Sequence, residues 1–289
     1  ATALLFAREG AKVCCVDRNL ESAQQTADQI TGNGGTATAR AADVTDETAL
    51  ESAIRGSAEE WGRLDILHNN VGISVEGGDA PLEAVSTDAF ERIFDINLLG
   101  TMLACKHALP IMRAQKSGAI VNISSASAYW TGHPTVLYPA SKMAMVSFTR
   151  QIAIQNADAG VRANTILPGL MDTPMAVDRR VEATGRTRDD IAAERDAKVP
   201  LLNKMGTGWD VANAALFRMH RDTFLNSPSI EVSGVNGIIR PGPSRACDQT
   251  VHKAAGRVFE PDKPEFSGEA ASCVRGCALG PSRWILDAC

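Results

Sequence analysis

The sequence predicts an α/β protein built on a doubly wound parallel sheet. Three observations carry that reading. Strand-like and helix-like segments alternate from residue 1 to about residue 217, the pattern of βαβ units. Ala11 to Val16 is nearly all apolar and β-branched or small, as expected of a strand covered on both faces. Asp17, Asp43, Asn69, Ser125 and Pro168 each fall where one of these segments ends. Crossovers of this kind are right-handed, and ligands bind at the carboxyl ends of the strands, so these scattered residues are expected along one rim.

Each element has its own local reason. Ala1 to Glu9 has helical periodicity through Leu4, Leu5 and Ala7, and Gly10 suits the position just past a helix end. Ala11 to Val16 reads as a buried strand, Glu21 to Ile30 as a helix, and Gly32-Asn-Gly-Gly35 as a turn. Thr36 to Ala42 is a strand followed by Asp43-Val44-Thr45, and Asp46 starts a helix that runs to Trp61. Leu64 to His68 is a short strand leading into Asn69-Asn70-Val71-Gly72. Ser86 caps one long helix to about Gln115, with Asn97 at its middle. Ala119 to Ser124 is the central strand, a helix opens at Tyr138, and Val161 to Leu167 is a strand closed by Pro168-Gly169.

Composition narrows the class. Hydrophobic content of 44% and charged content of 22% over 289 residues support an ordinary globular core. The net charge of −5, with no basic run, argues against nucleic acid as a partner. No apolar stretch approaches the ~20 residues that cross a bilayer. Neither a signal peptide nor a disulfide framework is visible, so a cytoplasmic location with reduced thiols is expected. Cys14, Cys15 and Cys105 lie in apolar segments and read as buried. Cys273 and Cys277 lack the paired spacing of a zinc site, and His68, His107 and His133 share no spacing either, so no metal is expected.

The chemistry concentrates between Ala119 and Lys142. Tyr138 and Lys142 are four apart and share one helix face. Pro139 falls in the first turn, where its missing N–H costs little. Ser125 ends the preceding strand. A free phenol has a pKa near ~10 and is a poor base at neutral pH, but a nearby ammonium favours the phenolate. Lys142 is therefore expected to lower the pKa of Tyr138, while Ser125 holds a carbonyl or alcohol oxygen. The chain has only 2 tyrosines, and one of them stands here. Alone, such a pair is more often a capping aromatic and a solvated lysine; the Ser-Ser strand before it and Pro168-Gly169 after it tip the balance.

The rim residues fit a dinucleotide. Asp17 can bind both hydroxyls of an adenosine ribose and repel an additional phosphate, which favours NAD over NADP; Arg18 beside it could instead greet that phosphate, and a plain helix cap is the other reading of Asp17. Asp43 suits either an adenine amine or a cap. Asn69, Asn70 and Gly72 offer amides and a close backbone approach, or form a polar turn.

Taken together, these motifs resemble the short-chain dehydrogenase/reductase family, with its Rossmann-like fold. The matching pieces are Asp17, Asp43-Val44, Asn69-Asn70-Val71-Gly72, Asn97 within Asp95-Ile-Asn-Leu-Leu-Gly100, Ser124-Ser125, Tyr138-Pro-Ala-Ser-Lys142 and Pro168-Gly169, in order and at fitting spacing over residues 1 to about 217. The resemblance implies a nicotinamide-dependent oxidoreductase acting on a secondary alcohol or ketone. It implies Tyr138 as general acid–base, Lys142 as the group that lowers its pKa and binds the nicotinamide ribose, Ser125 as the group orienting the substrate oxygen, and Asn97 as holding a water in the proton relay. It also implies that Thr173 binds the nicotinamide amide, with Met171 nearby.

The sequence departs from the family twice. The family opens with a strand and a Thr-Gly-x-x-x-Gly-x-Gly turn that meets the pyrophosphate at a helix N-terminus. That turn is absent here, because Gly10 ends a helix instead of opening one. The expectation is an N-terminal truncation, a missing first strand, a gap or exposed edge in the sheet, and poor dinucleotide binding. Past Phe217 the family pattern also fails. Residues 218–289 are rich in Pro, Gly, Ser, Arg and Cys and read as an irregular tail, with a lone strand at Ser229 to Val235. A changed reading frame or gene model is the favoured reading, a natural interaction tail the other. Family members often build subunit contacts near that segment, which counts against a homo-oligomer. The alternative to an active dehydrogenase is a catalytically impaired remnant acting as a binding or regulatory subunit. Substrate choice is expected to fall to Ile73 to Pro81, Thr131 to Leu137 and Met175 to about Met205, where Arg179, Arg180 and Arg186 either greet an acidic substrate or form a solvated face.

Overall fold

The structure, a computed structural model, describes residues 1–219, 225–226, 229–233 and 283–288, the last of these as backbone. Cys247, Cys273, Cys277, Cys289 and most of the expected tail lie outside the described residues.

The elements follow the alternation read from the sequence. Helix α1 (Thr2–Arg8) turns through Gly10, at φ +87°, into β1 (Ala11–Asp17). Asn19 caps α2 (Leu20–Gly32) by accepting from Glu21 N–H at 3.0 Å, and β2 (Thr36–Ala41) follows. Asp46 caps α3 (Glu47–Trp61), which ends at left-handed Gly62 and gives way to β3 (Ile66–Asn69). Ser86 caps α4 (Thr87–Phe94), and α5 (Gly100–Gln115) precedes β4 (Gly118–Ile123). Helix α6 (Leu137–Gln155) leads to β5 (Val161–Pro168). The short β6 (Met171–Asp172) pairs with β7 (Gly206–Thr207), and α7 (Asp178–Thr184) and α8 (Arg188–Asp196) fill the excursion between them. Helix α9 (Gly208–Met219), β8 (Ser229–Val232) and β9 (Arg283–Ala288) complete the described chain.

The main sheet has seven strands in the order β2-β1-β9-β3-β4-β5-β8, all pairings parallel. Successive residues on a strand face opposite layers. Cys14 and Val16 of β1 join one core with Leu50 and Ile54 of α3, Leu103 and Met112 of α5, and Ile152 of α6. Val13 and Cys15 join the opposite core with Phe6 of α1, Ala27 and Ile30 of α2, and Ala215 and Met219 of α9. Helices thus cover both faces, as a doubly wound sheet requires.

Three expectations need correction. The sheet has no gap: β9 lies between β1 and β3, where Val13 and Ile66 both register with Ile285, and Cys14 and Leu67 both register with Leu286. Two facing strand edges carry unpaired N–H and C=O groups that are expensive to bury, and a segment from far along the chain satisfies both. Likewise, the strand at residues 229–232 is not alone but pairs with β5, so the segment 218–289 contributes two strands to the sheet. The expected single helix from Ser86 to Gln115 is interrupted by a π turn at Asp95–Leu99, an irregularity that re-aims one side chain without ending the helix.

Candidate active site

The carboxyl ends of β1, β2, β3, β4 and β5 form the rim, where Asp17, Asp43, Asn69, Ser125 and Pro168 lie, and the other predicted site residues stand on the turns and helices that follow. Asp17 ends β1, half-buried, with one carboxylate oxygen accepting from Asn19 N–H at 2.7 Å. Asp43 is exposed and accepts from the N–H and hydroxyl of Thr45 at 2.9 and 2.7 Å, and those bonds hold its carboxyl below its ordinary range, with Arg18 adding to the effect. Val44 packs under Gly100, where an added Cβ would lie 2.8 Å from the Val44 side chain. Asn69 is buried, and its amide donates inward to Asn122 Oδ1 at 2.8 Å and Cys105 Sγ at 3.7 Å. Only its backbone faces the question of a ligand. Asn70 is exposed beside it.

Asn97 explains the π turn. Its Oδ1 accepts from Ile73 N–H at 2.7 Å, and its Nδ2 donates to Ile73 C=O at 2.9 Å and Ser141 Oγ at 3.0 Å. Both amide hydrogens are therefore used. A fully buried Asn97 clamps the loop after β3 to the helix that carries Tyr138 and Lys142. Lys142 is 3% exposed and donates to Ile123 C=O at 2.9 Å. A Cβ at Gly72 would stand 3.0 Å from its Nζ and 3.5 Å from Asn97 Oδ1, so the ammonium packs tightly against this glycine. Ser124 fixes the same helix by donating to Lys142 C=O at 2.7 Å.

Tyr138 and Lys142 lie on one face as read from their spacing, with Nζ 5.7 Å from the phenol ring centre. Ser125 is buried and its side chain reaches the phenol. The electrostatics differ from expectation. Burial raises the Tyr138 pKa above its ordinary value, the charge of Glu76 adds to this, and Ser125 opposes it only partly. Burial also lowers Lys142 to about 8. Desolvation leads both shifts, since each charged form is disfavoured away from water.

Sequence reasoning missed Asp79. It is 4% exposed and accepts from Thr135 Oγ1 at 2.5 Å and from the N–H groups of Leu137 and Tyr138, both at 2.9 Å. Helix α6 has Val136 at its N-cap position and no local side-chain cap. A carboxylate from another loop fills that role and fixes the first turn, Tyr138 included. The readable signal was Val136 itself, a residue unable to cap. Glu76, in the same loop, pairs with Arg179 of α7. The three segments expected to line the pocket thus touch one another.

On the far side, Pro168 ends β5 in register with Val232. Thr173 Oγ1 accepts from Ala176 N–H at 3.3 Å, opening the turn into α7. Met171 is buried, with its sulfur against Gly206 of β7 rather than open to the rim.

Residues 1–183 match the family described as short chain dehydrogenase. The chain belongs to that family. Among its relatives, the uncharacterized oxidoreductase YxbG of Bacillus subtilis is 33% identical over 223 residues, covering 77% of this chain and 80% of that one. Two solved short-chain dehydrogenase-like structures superpose well. NAD⁺-bound xylitol dehydrogenase gives a TM-score of 0.74 at 27% identity, covering 81% of this chain and 92% of its own. ElxO with NADP bound gives 0.71 at 29% identity, covering 81% and 91%. Among the described residues of this family member, no helix is long and apolar enough to cross a membrane.

Proposed function

We propose that this chain transfers a hydride between a nicotinamide cofactor and a secondary alcohol or ketone, with NAD preferred over NADP. The single observation that carries the reading is the meeting of Ser125, Tyr138 and Lys142 over the strand ends, braced by Asn97. The close approach of Gly72 to the Lys142 ammonium suits a bound ribose meeting that amine. Asp17, Asp43, Val44, Asn70 and the backbone of Asn69 would hold the adenosine half, and Gly72, beside Lys142, would border the nicotinamide ribose. Pro168 and Thr173 would flank the nicotinamide, with Met171 buried against Gly206 beside them, and the nicotinamide supplies the hydride acceptor or donor when bound. For NAD preference, the support is Asp17 at the rim and the proximity of Arg18 to Asp43, which engages that cation elsewhere.

The chain's own residues then have distinct tasks. Ser125 donates to the substrate oxygen and fixes it beside the phenol. In oxidation Tyr138 takes the hydroxyl proton as the C–H hydride leaves; in reduction it returns that proton to the carbonyl oxygen. Lys142, near pH 8, is poised to change charge in the working range and to stabilise the phenolate. Asn97 and Asp79 hold the helix that carries both.

The test is absorbance at the NADH band with a panel of secondary alcohols, comparing NAD with NADP. The proposal expects turnover with NAD that Tyr138→Phe abolishes without unfolding the protein; equal rates in the two would refute the role of Tyr138. A second reading, an impaired remnant serving as a binding or regulatory subunit, draws on one observation: the resting phenol is shifted away from the value a base needs. Tight cofactor binding with no turnover on any alcohol would favour it.

A further inference from the structure

Helices α7 and α8 border an open pocket of about 220 Å³ whose lining includes none of Ser125, Tyr138 and Lys142. Arg180, Arg186, Arg195 and Lys198 line it with one carboxylate, Glu194. Four cations around one anion in so small a space need an explanation, and the pairing pattern supplies part of it.

Most basic side chains of these helices are neutralised. Glu194 bridges Arg186 at 2.8 Å and Lys198 at 2.7 Å. Arg188 reaches Asp172 at 2.6 Å and Asp178 at 3.0 Å, and Arg179 pairs with Glu76. Arg180 and Arg195 differ. The Arg180 guanidinium donates to Ala176 C=O at 2.5 Å, and Arg195 Nε donates to Met205 Sδ at 3.2 Å. Among the described residues neither meets a carboxylate within ion-pair distance. Arg195 is only 9% exposed. Burial pushes its pKa down and the charge of Arg180 pushes it further, while Asp172, Glu194 and Asp196 pull the other way from a distance.

A buried guanidinium facing a second one is unfavourable unless an anion joins them. Guanidinium forks match tetrahedral oxyanions in geometry and charge, with hydrogen bonds about twice as strong as neutral ones. A cation would be repelled, and a neutral guest would leave the charge uncompensated. We propose that the α7–α8 pocket is a phosphate-binding site, with Arg180 and Arg195 as its primary ligands and Arg186 and Lys198 beside them. The phosphate is either free or the end group of a larger molecule.

Calorimetric titration of the full chain with inorganic phosphate, at ionic strength held constant with chloride, tests the site without requiring turnover. The result then stands apart from the oxidoreductase reading. Saturable binding is expected, weakened about tenfold or more by Arg180→Gln and by Arg195→Met. Arg180 is exposed, so its variant decides the question if the Arg195 variant does not fold. Propyl phosphate in a parallel titration separates the two sources. Binding about tenfold tighter than inorganic phosphate assigns the site to a phosphorylated organic molecule, and equal binding assigns it to free phosphate. No saturable binding, or affinity unchanged by Arg180→Gln, overturns the proposal.

Discussion

Replacing Asp79 with alanine tests how much one carboxylate contributes to the placement of Tyr138. The substitution removes the acceptor for Thr135 Oγ1–H and for the N–H groups of Leu137 and Tyr138. Loss of a helix cap costs about 1 kcal/mol. Each buried N–H left without a partner adds about 1–3 kcal/mol. The alanine variant recovers part of this, because a 4%-exposed carboxylate no longer has to be desolvated. The net expectation is a loss of about 3 kcal/mol. Urea unfolding followed by far-ultraviolet circular dichroism reads it directly. With a slope of about 3 kcal/mol per molar for a chain of this size, the midpoint should fall by about 1 M. Asp79→Asn keeps one acceptor oxygen and should lose roughly half as much. A midpoint for Asp79→Ala within about 0.2 M of the parent would mean that α6 is not held in this way.

Other perturbations follow from the same geometry. Lys142 has a folded pKa of about 8 against an ordinary value of 10.5, so below 8 both states keep the proton and the full burial penalty is present. As pH rises from about 8 to 10.5 the folded state releases its proton first, and stability should climb by about 3 kcal/mol; Lys142→Met should lack that climb, and parallel curves for the two proteins would contradict it. Gly160 sits at φ +69° with the Lys116 carbonyl oxygen 2.6 Å from where a Cβ would be. Gly160→Ala should cost about 2 kcal/mol or more in thermal or urea unfolding, and a change under about 0.5 kcal/mol would show that the turn relaxes freely. Cys105 is 1% exposed, and burial pushes its thiol up to about 12 against the opposing bonds from Asn69 and Asn122. Peptide mapping after alkylation at neutral pH should find it unmodified in the native protein and modified in denaturant; native-state labelling would show the core opening near Asn69.

Elements whose logic is local were legible from residue order. The apolar run at Ala11–Asp17, the Asp46 cap of α3 and the four-residue spacing of Tyr138 and Lys142 need only near neighbours to be read. Features set by distant partners were not. The helix through Asn97 looked continuous because its periodicity is; the π turn follows from Ile73 and Ser141, which lie on other elements. Asn69 looked like a rim amide, but Asn122 on the neighbouring strand draws it inward. Charge reasoning paired Lys142 with Tyr138 and had the sign of the phenol's shift wrong, because spacing reveals proximity but not burial. Asp79 carries no signature in Gly77-Gly78-Asp79-Ala80, since its meaning resides in a helix that begins at Leu137.

The position of β9 has a consequence for how the molecule assembles. Everything from Leu20 to Val232 is made before Arg283, yet residues 283–288 bridge β1 to β3. The equilibrium penalty for closing so long a loop is modest, rising by only about 0.6 kcal/mol per doubling of length. The kinetic penalty is greater, because non-local pairings form slowly. Without that bridge, β1 and β3 would each present a bare edge able to recruit a neighbouring molecule instead. Refolding yield should therefore fall as protein concentration rises, and a short peptide matching residues 283–288, supplied during refolding, should recover it.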